Sequence, residues 1–94
     1  MSIEVRKIYD DSGNLIGEAE FVDGKPHGSC KLWNSNGLLI QESSFKDGDY
    51  HGSYKTWWEN GKLKELGSYC DGERVGIYIC YKEDGSVWSE HNYD

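Results

Sequence analysis

Large apolar residues, glycines and polar residues recur along the chain with a fixed spacing of 24 residues. The clearest copy spans residues 45–68, and a fixed period of this length is typical of repeat proteins. Its landmarks are an aromatic residue, an Asp-Gly pair, a His-Gly pair, a tryptophan, a glycine and a leucine. In order they are Phe45, Asp47-Gly48, His51-Gly52, Trp57, Gly61 and Leu63.

The same pattern continues in both directions without an insertion. Residues 21–44 and 69–92 are full copies, and residues 5–20 hold a partial one. The period therefore predicts a single repeat domain over residues 1–94.

Two turn signals in each copy divide it into two short segments. One signal is an Asp-Gly pair, and the other ends in a glycine at 13, 37, 61 or 85. The segments between them are too short for a helix of three turns with an apolar stripe, but they suit strands of about eight or nine residues. We therefore predict an all-β fold, an elongated and twisted antiparallel meander of about eight strands, in which each 24-residue repeat is a β-hairpin.

The turn ending in Gly37 predicts which side chains meet across a hairpin. A three-residue loop with Gly37 in the left-handed conformation places Trp33 opposite Leu39 and Ser29 opposite Ser43. Three further pairs follow from the repeat, and even spacing assigns the aromatic residue of each copy to the same face. The pairs are Tyr9–Leu15, Trp57–Leu63 and Tyr81–Val87, and the aromatic residues are Phe21, Phe45, Tyr69 and Tyr93.

The Asp-Gly pairs predict tight hairpin turns, because glycine adopts a positive φ without steric cost. A two-residue turn would reverse the register of the next strand relative to the other hairpins. A β-bulge near Gly28, Gly52 and Gly76 would restore it.

Composition narrows the classes of partner. The net charge of −7 disfavours direct binding to nucleic acid or to an anionic membrane, which both require clustered Lys and Arg. The N-terminal residues lack an apolar signal-peptide core, and no apolar run is long enough to span a bilayer. With an odd number of cysteines, three, these features predict a reduced cytoplasmic protein.

The unit beginning at Phe45 and Asp47-Gly48, followed by His51-Gly52, Tyr54 and the run Trp57 to Leu63, resembles the MORN repeat. It is most similar to the bacterial variant found in proteins labelled YwqK-family antitoxins. The resemblance covers roughly residues 5–94 and implies an array of β-hairpins that contacts other proteins. The third full repeat departs from it, since Val75 stands where the earlier repeats have histidine.

The histidines and cysteines do not predict a metal site or a cofactor. His27 and His51 lie two strands apart, at roughly 9–10 Å, which is too far for two ligands of one zinc ion. Cys80 is expected near residue 63 rather than near Cys70, so we interpret the cysteines as free thiols and the histidines as packed or turn-stabilising.

Nor does the sequence predict an enzyme. No serine lies in a nucleophile elbow, and no glycine-rich phosphate loop precedes a helix. The adjacent carboxylates at 10–11 and 83–84 fall in turns, where solvent keeps their chemistry ordinary.

Aromatic side chains carry the remaining functional signal. Trp57 and Trp58 are adjacent in a strand, so their rings point to opposite faces, and the second shares its face with Tyr54, Thr56 and Tyr78. We predict a binding surface of aromatic anchors and acidic turns that contacts a basic protein. Its candidate residues are Trp33, Tyr50, Tyr54, Trp57, Trp58, Tyr78, Tyr81 and Trp88, with Asp49, Glu59 and Asp71 as the acidic steering groups.

Three functions are compatible with these features. The first is an antitoxin or immunity-type inhibitor, and the second is an acidic mimic of nucleic acid that blocks a defence or nucleic-acid-processing enzyme. The third is the lipid-associated scaffold role attached to some MORN proteins. The terminal strand near Val87 and Trp88 is also a candidate for pairing with a second copy of the chain or with a strand of a partner, and an aggregation-resistant monomer is an equal alternative.

Overall fold

The computed structural model describes residues 3–94, which form one open antiparallel sheet of eight strands. The order of the strands in the sheet is their order in the sequence, so every strand pairs with its neighbours in the chain. This confirms the predicted all-β meander of hairpins. The strands are β1 (Ile3–Tyr9), β2 (Leu15–Val22), β3 (Lys25–Trp33), β4 (Leu39–Lys46), β5 (Asp49–Trp57), β6 (Leu63–Cys70), β7 (Glu73–Tyr81) and β8 (Val87–Asn92).

The sheet is a single layer, and both of its faces lie open. It measures 39 × 35 × 13 Å, and within residues 3–94 no hydrophobic side chain is fully buried. The buried side chains are small and polar, namely Ser43 and Thr56. Across the described residues there is no helix of the length and hydrophobicity needed to cross a bilayer.

The loops that end in glycine have the predicted geometry. The Asn34 carbonyl accepts a hydrogen bond from Gly37 N–H at 3.0 Å, and Asn34 N–H donates to the Leu38 carbonyl at 2.9 Å. Gly37 has a φ of 84°, so the left-handed residue of a three-residue loop is confirmed. Trp33 lies opposite Leu39, and the three equivalent pairs form as predicted.

One residue beyond each such pair, the register shifts. Trp33 pairs with Leu39 but Leu32 pairs with Gln41, so one extra residue, Ile40, is inserted in β4 as a β-bulge. Ser29 consequently lies opposite Ser44, and the prediction that it faces Ser43 is wrong.

The same bulge reverses the predicted facing of the aromatic residues. Because Trp33 and Leu32 alternate along β3, their partners Leu39 and Gln41 point to opposite faces. Phe45 lies four residues after Gln41 and shares its face, so it lies on the face opposite to Trp33. Even spacing failed here because the inserted residue changes the alternation.

The Asp-Gly turns are two-residue turns, followed by the predicted bulge. Asp23 and Gly24 have φ values of 52° and 80°, the conformation of a type I′ turn. Further along β3, the residues His27, Gly28 and Ser29 all lie opposite Glu20, and Gly28 has a φ of 101°. A bulge at Gly28 is therefore confirmed.

Strand alternation gives the sheet two distinct faces. We name one the aromatic face, after the cluster of stacked rings that it carries over β4, β5 and β6. The other, the charged face, carries lysine and glutamate alternately across five strands. The aromatic face includes Phe45, Tyr50, Tyr54, Tyr69 and Tyr78, and the charged face includes Lys7, Glu18, Lys31, Glu42 and Lys55.

Candidate protein-binding face

The centre of the aromatic face is a row of small residues covered by rings. Ser43 lies directly across from Tyr54 and is only 1 % exposed. Gly67 is buried beneath Tyr78, whose Cδ2 would stand 2.9 Å from a Cβ at that position. Small residues in this row leave room for the neighbouring rings to pack against the sheet.

Four rings form one cluster over β4, β5 and β6. Tyr50 stacks on Phe45 with a centroid distance of 4.5 Å and on Tyr69 with a distance of 4.9 Å. The ring of Tyr54 meets Tyr50 and Tyr69 edge-on at 5.7 and 5.6 Å. Stacked and edge-to-face pairs of this kind are favourable beyond the area that they bury. The cluster is therefore an ordered surface even though it faces solvent.

An arginine and a further tyrosine extend the cluster toward β8. The Arg74 guanidinium lies 3.9 Å from the centre of the Tyr78 ring and 5.6 Å from that of Tyr69. On its far side Tyr78 meets Tyr93 edge-on at 6.5 Å. Cation–π contacts of this type hold the arginine over the rings.

A carboxylate, Glu65, is the polar centre of this face. Thr56 Oγ1 donates a hydrogen bond to Glu65 Oε2 at 2.8 Å, and the Tyr78 hydroxyl donates to the other carboxylate oxygen. Burial, together with the hydrogen bond to Glu65, raises the pKa of Tyr78 above that of an ordinary tyrosine. Burial also raises the pKa of Tyr54 and of the Cys30 thiol.

Beside Glu65 the face opens into a groove of about 600 Å³. One wall is Trp58, whose Nε1–H donates to the Tyr81 carbonyl at 3.2 Å and whose ring lies 4.7 Å from Lys64 Nζ. The groove combines an aromatic wall with a polar floor and an acidic border. Its lining includes Ile40, Gln41, Tyr54, Thr56, Trp58, Glu59, Lys64, Glu65 and Glu83.

The structure divides the predicted aromatic anchors between the two faces. Tyr54, Trp58 and Tyr78 lie together on the aromatic face, as their parity predicts, and Tyr50 lies there with them. Three others lie on the charged face in the cross-strand pairs described above, and one belongs to the outermost strand. The three are Trp33, Trp57 and Tyr81, and the fourth is Trp88, which is 70 % exposed on β8. Trp57 also contributes to the lining of the groove, although its strand position assigns its side chain to the charged face.

The acidic candidates are also separated. Glu59 borders the groove, whereas Asp49 and Asp71 lie at the Asp-Gly turns, at the other end of the strands. A nine-residue strand such as β5 is about 30 Å long, so these carboxylates do not form one patch.

Several residues of this face were absent from the predicted set. Glu65, Lys64 and Arg74 contact the rings or line the groove, and Phe45 and Tyr69 belong to the ring cluster. The 24-residue period identifies Phe45 and Tyr69 as equivalent residues. Because the bulges change the alternation of side chains, the sequence does not reveal that both rings lie on the face of Tyr54.

The histidines stabilise turns, as predicted from the sequence. His27 Nδ1 accepts a hydrogen bond from Asp47 N–H at 3.3 Å, and His51 Nδ1 accepts one from Asp71 N–H at the same distance. Beside the first of these bonds, Gly48 N–H donates to the Pro26 carbonyl at 2.9 Å. Each histidine thus ties its own hairpin to the next turn in the array.

Comparison with known families agrees with this architecture. The family model described as MORN repeat variant matches residues 5–23, 50–71 and 74–94, more than half of the chain. No curated protein and no solved structure gives a significant match. The hairpin array and the family match lead to the same assignment: the chain belongs to the MORN repeat variant family, a family of generally non-enzymatic, repeat-based binding modules.

Proposed function

We propose that this chain is a non-enzymatic module that binds a partner protein through its aromatic face and inhibits it, in the manner of an antitoxin or immunity protein. The observation that carries the proposal is the ordered ring cluster of Phe45, Tyr50, Tyr54 and Tyr69 beside an open groove. In a single-layer sheet these rings cover no second layer, so a partner can bury them.

The physical basis is the low cost of burying side chains that are already ordered. Tyrosine and tryptophan are favoured anchors because they bury a large area and lose few rotatable bonds. Here the contacts of Tyr54 with two other rings, and the hydrogen bond from Trp58 to the Tyr81 carbonyl, fix the rings before binding. Less conformational entropy is then lost on association.

Charge favours a basic partner at the groove. Glu59 and Glu83 line it together with Glu65, and the whole chain carries a net charge of −7. Lys64 already lies over the Trp58 ring, which shows that this ring accepts a cation. We expect lysine or arginine side chains of a partner to contact the acidic border of the groove.

Two other functions have less support from the geometry. In a nucleic-acid mimic, carboxylates would follow one another along a surface. Here Glu59 and Asp71 lie at opposite ends of the strands, and glutamates alternate with lysines on the charged face. A lipid scaffold would require clustered basic residues, which the same alternation opposes.

The proposal is tested by capturing the partner with the tagged chain from a lysate of the source cells and by measuring its affinity at several salt concentrations. We expect a basic protein whose affinity falls as salt rises and whose own activity is lost on binding. Competition by added nucleic acid would support the mimic instead, and co-sedimentation with anionic vesicles would support the scaffold.

A further inference from the structure

We propose that His51, Cys70 and Asp71 form a binding site for one Zn²⁺ ion at the turn after β6. The site is independent of the proposed binding function and lies at the opposite end of the strands from the groove. It combines an imidazole, a thiol and a carboxylate, the three kinds of side chain that bind zinc.

The three donor groups are already close together. One donor atom from each residue lies within 4.8 Å of the other two. His51 Nδ1 is 3.5 Å from Asp71 Oδ1, and Cys70 Sγ is 4.0 Å from Asp71 Oδ2. Zinc ligands stand about 2.0–2.3 Å from the ion, so donors that share one tetrahedral ion lie roughly 3–4 Å apart. Small side-chain rotations are enough to bring all three to one ion.

The backbone places these groups without help from a metal. Cys70 is the last residue of β6, and Asp71 follows in a left-handed conformation with a φ of 50°. The turn is tied to the neighbouring hairpin, because Gly72 N–H donates to the Tyr50 carbonyl at 2.8 Å. His51 follows Tyr50 in β5, so the turn and the histidine are fixed relative to each other.

The preceding repeat supplies a natural comparison. There His27 Nδ1 lies 3.7 Å from Asp47 Oδ1, but the residue before the aspartate is Lys46. The histidine–aspartate arrangement is therefore a property of the fold. The thiol is what distinguishes the later turn, and it replaces a cation that would repel a metal ion.

Binding changes two local bonds. The Cys70 thiol releases its proton to solvent and coordinates as the thiolate. His51 Nδ1 gives up the 3.3 Å hydrogen bond that it accepts from Asp71 N–H and coordinates the metal instead. Because the turn is exposed, water can accept a hydrogen bond from the freed Asp71 amide. Water completes the tetrahedral shell. Because the site is exposed and has three protein ligands, we expect moderate rather than tight affinity.

The test is a titration of the reduced full-length chain with Co²⁺, a spectroscopic substitute for zinc, followed by displacement with Zn²⁺. We expect one ion per chain and a thiolate-to-cobalt charge-transfer band that zinc abolishes. Cys70→Ser should remove the band, and His51→Gln should weaken binding at least tenfold. A variant in which Cys30 and Cys80 are both serine should behave as the wild type.

The converse substitution makes the test sharper. Lys46→Cys should create a second equivalent site beside His27 and Asp47 and raise the stoichiometry to two ions per chain. Circular dichroism of each variant checks that the sheet is retained. A band that survives in Cys70→Ser, binding that ignores His51→Gln, or one ion shared between two chains would each overturn the proposal.

Discussion

Gly67 lies directly beneath the ring of Tyr78, so closely that a Cβ on the glycine would stand 2.9 Å from Cδ2 of the tyrosine. The ring is held in this position because its hydroxyl donates to Glu65 and the Arg74 guanidinium lies 3.9 Å from its centre. The absence of a side chain at residue 67 is thus what allows Tyr78 to cover the sheet and reach the carboxylate.

Gly67→Ala should lower the free energy of unfolding by about 1–3 kcal/mol, the usual cost of adding a methyl group to a packed site. Urea denaturation measures the change. In a Tyr78→Ala background the same substitution should be neutral or slightly stabilising, because alanine is favoured over glycine within a strand when nothing obstructs it. An equal loss in both backgrounds would show that the ring is not the obstacle.

Ser43→Ala should stabilise the sheet. Ser43 is 1 % exposed, and within residues 3–94 its hydroxyl has no hydrogen-bond partner stronger than the Cys30 thiol across the strand pair, which is a weak one. Removing an unsatisfied buried hydroxyl should raise the free energy of unfolding by about 1 kcal/mol. Ser53→Ala, at an exposed position of β5, should change it by less than about 0.5 kcal/mol. Thermal unfolding of both variants decides, and a loss of stability in Ser43→Ala would refute the prediction.

Tyr78 should remain protonated at an alkaline pH at which ordinary tyrosines ionise. Its pKa is raised in the folded chain by burial and by the hydrogen bond to Glu65, so the neutral phenol contributes stability. That contribution is complete below the unfolded-state pKa of about 10 and is lost as the pH rises through the higher folded-state value. Stability measured across this alkaline window should fall more steeply for the wild type than for Tyr78→Phe. Identical slopes would contradict the assignment.

We predict that a second copy of the chain extends the sheet at β8. On the charged face, Lys7 of the edge strand β1 lies opposite Glu18, and Glu90 of the other edge strand, β8, lies opposite Ile79. If β1 of another copy follows β8 in the repeating register, its Lys7 lies opposite Glu90. We therefore predict weak self-association through these edges.

Sedimentation at increasing protein concentration measures this association. Glu90→Lys and Lys7→Glu should each weaken it, because like charges then face each other across the junction. The double variant should restore it. If the wild type, the two single variants and the double variant all associate equally, or if none of them associates, these edges do not pair in this register.

The fold could be predicted from the sequence because its repeat period and its turn residues all indicate the same structure. The 24-residue period, the Asp-Gly turns and the glycine-terminated loops all indicate hairpins, and no segment favours a helix. The pairing of Trp33 with Leu39 followed from the loop that contains Gly37. Local turn chemistry is readable because it depends on a few residues with special backbone conformations.

The composition of the faces was harder to predict. The extra residue at Ile40 leaves no clear signal, because an isoleucine suits a bulge as well as a regular strand. It moves Phe45 to the face of Tyr54 and leaves Trp33 on the other. The role of Glu65 was equally hidden, since its contacts come from Thr56 on β5 and Tyr78 on β7.

We predict that the aromatic face, rather than the charged face, contacts the partner protein. The most direct measurement compares partner capture by the wild type, by Trp58→Ala on the aromatic face and by Trp33→Ala on the charged face, with circular dichroism confirming each fold. We predict that Trp33→Ala retains the partner and Trp58→Ala loses it. Equal capture by both variants, loss confined to Trp33→Ala, or no protein captured by the wild type would contradict the claim.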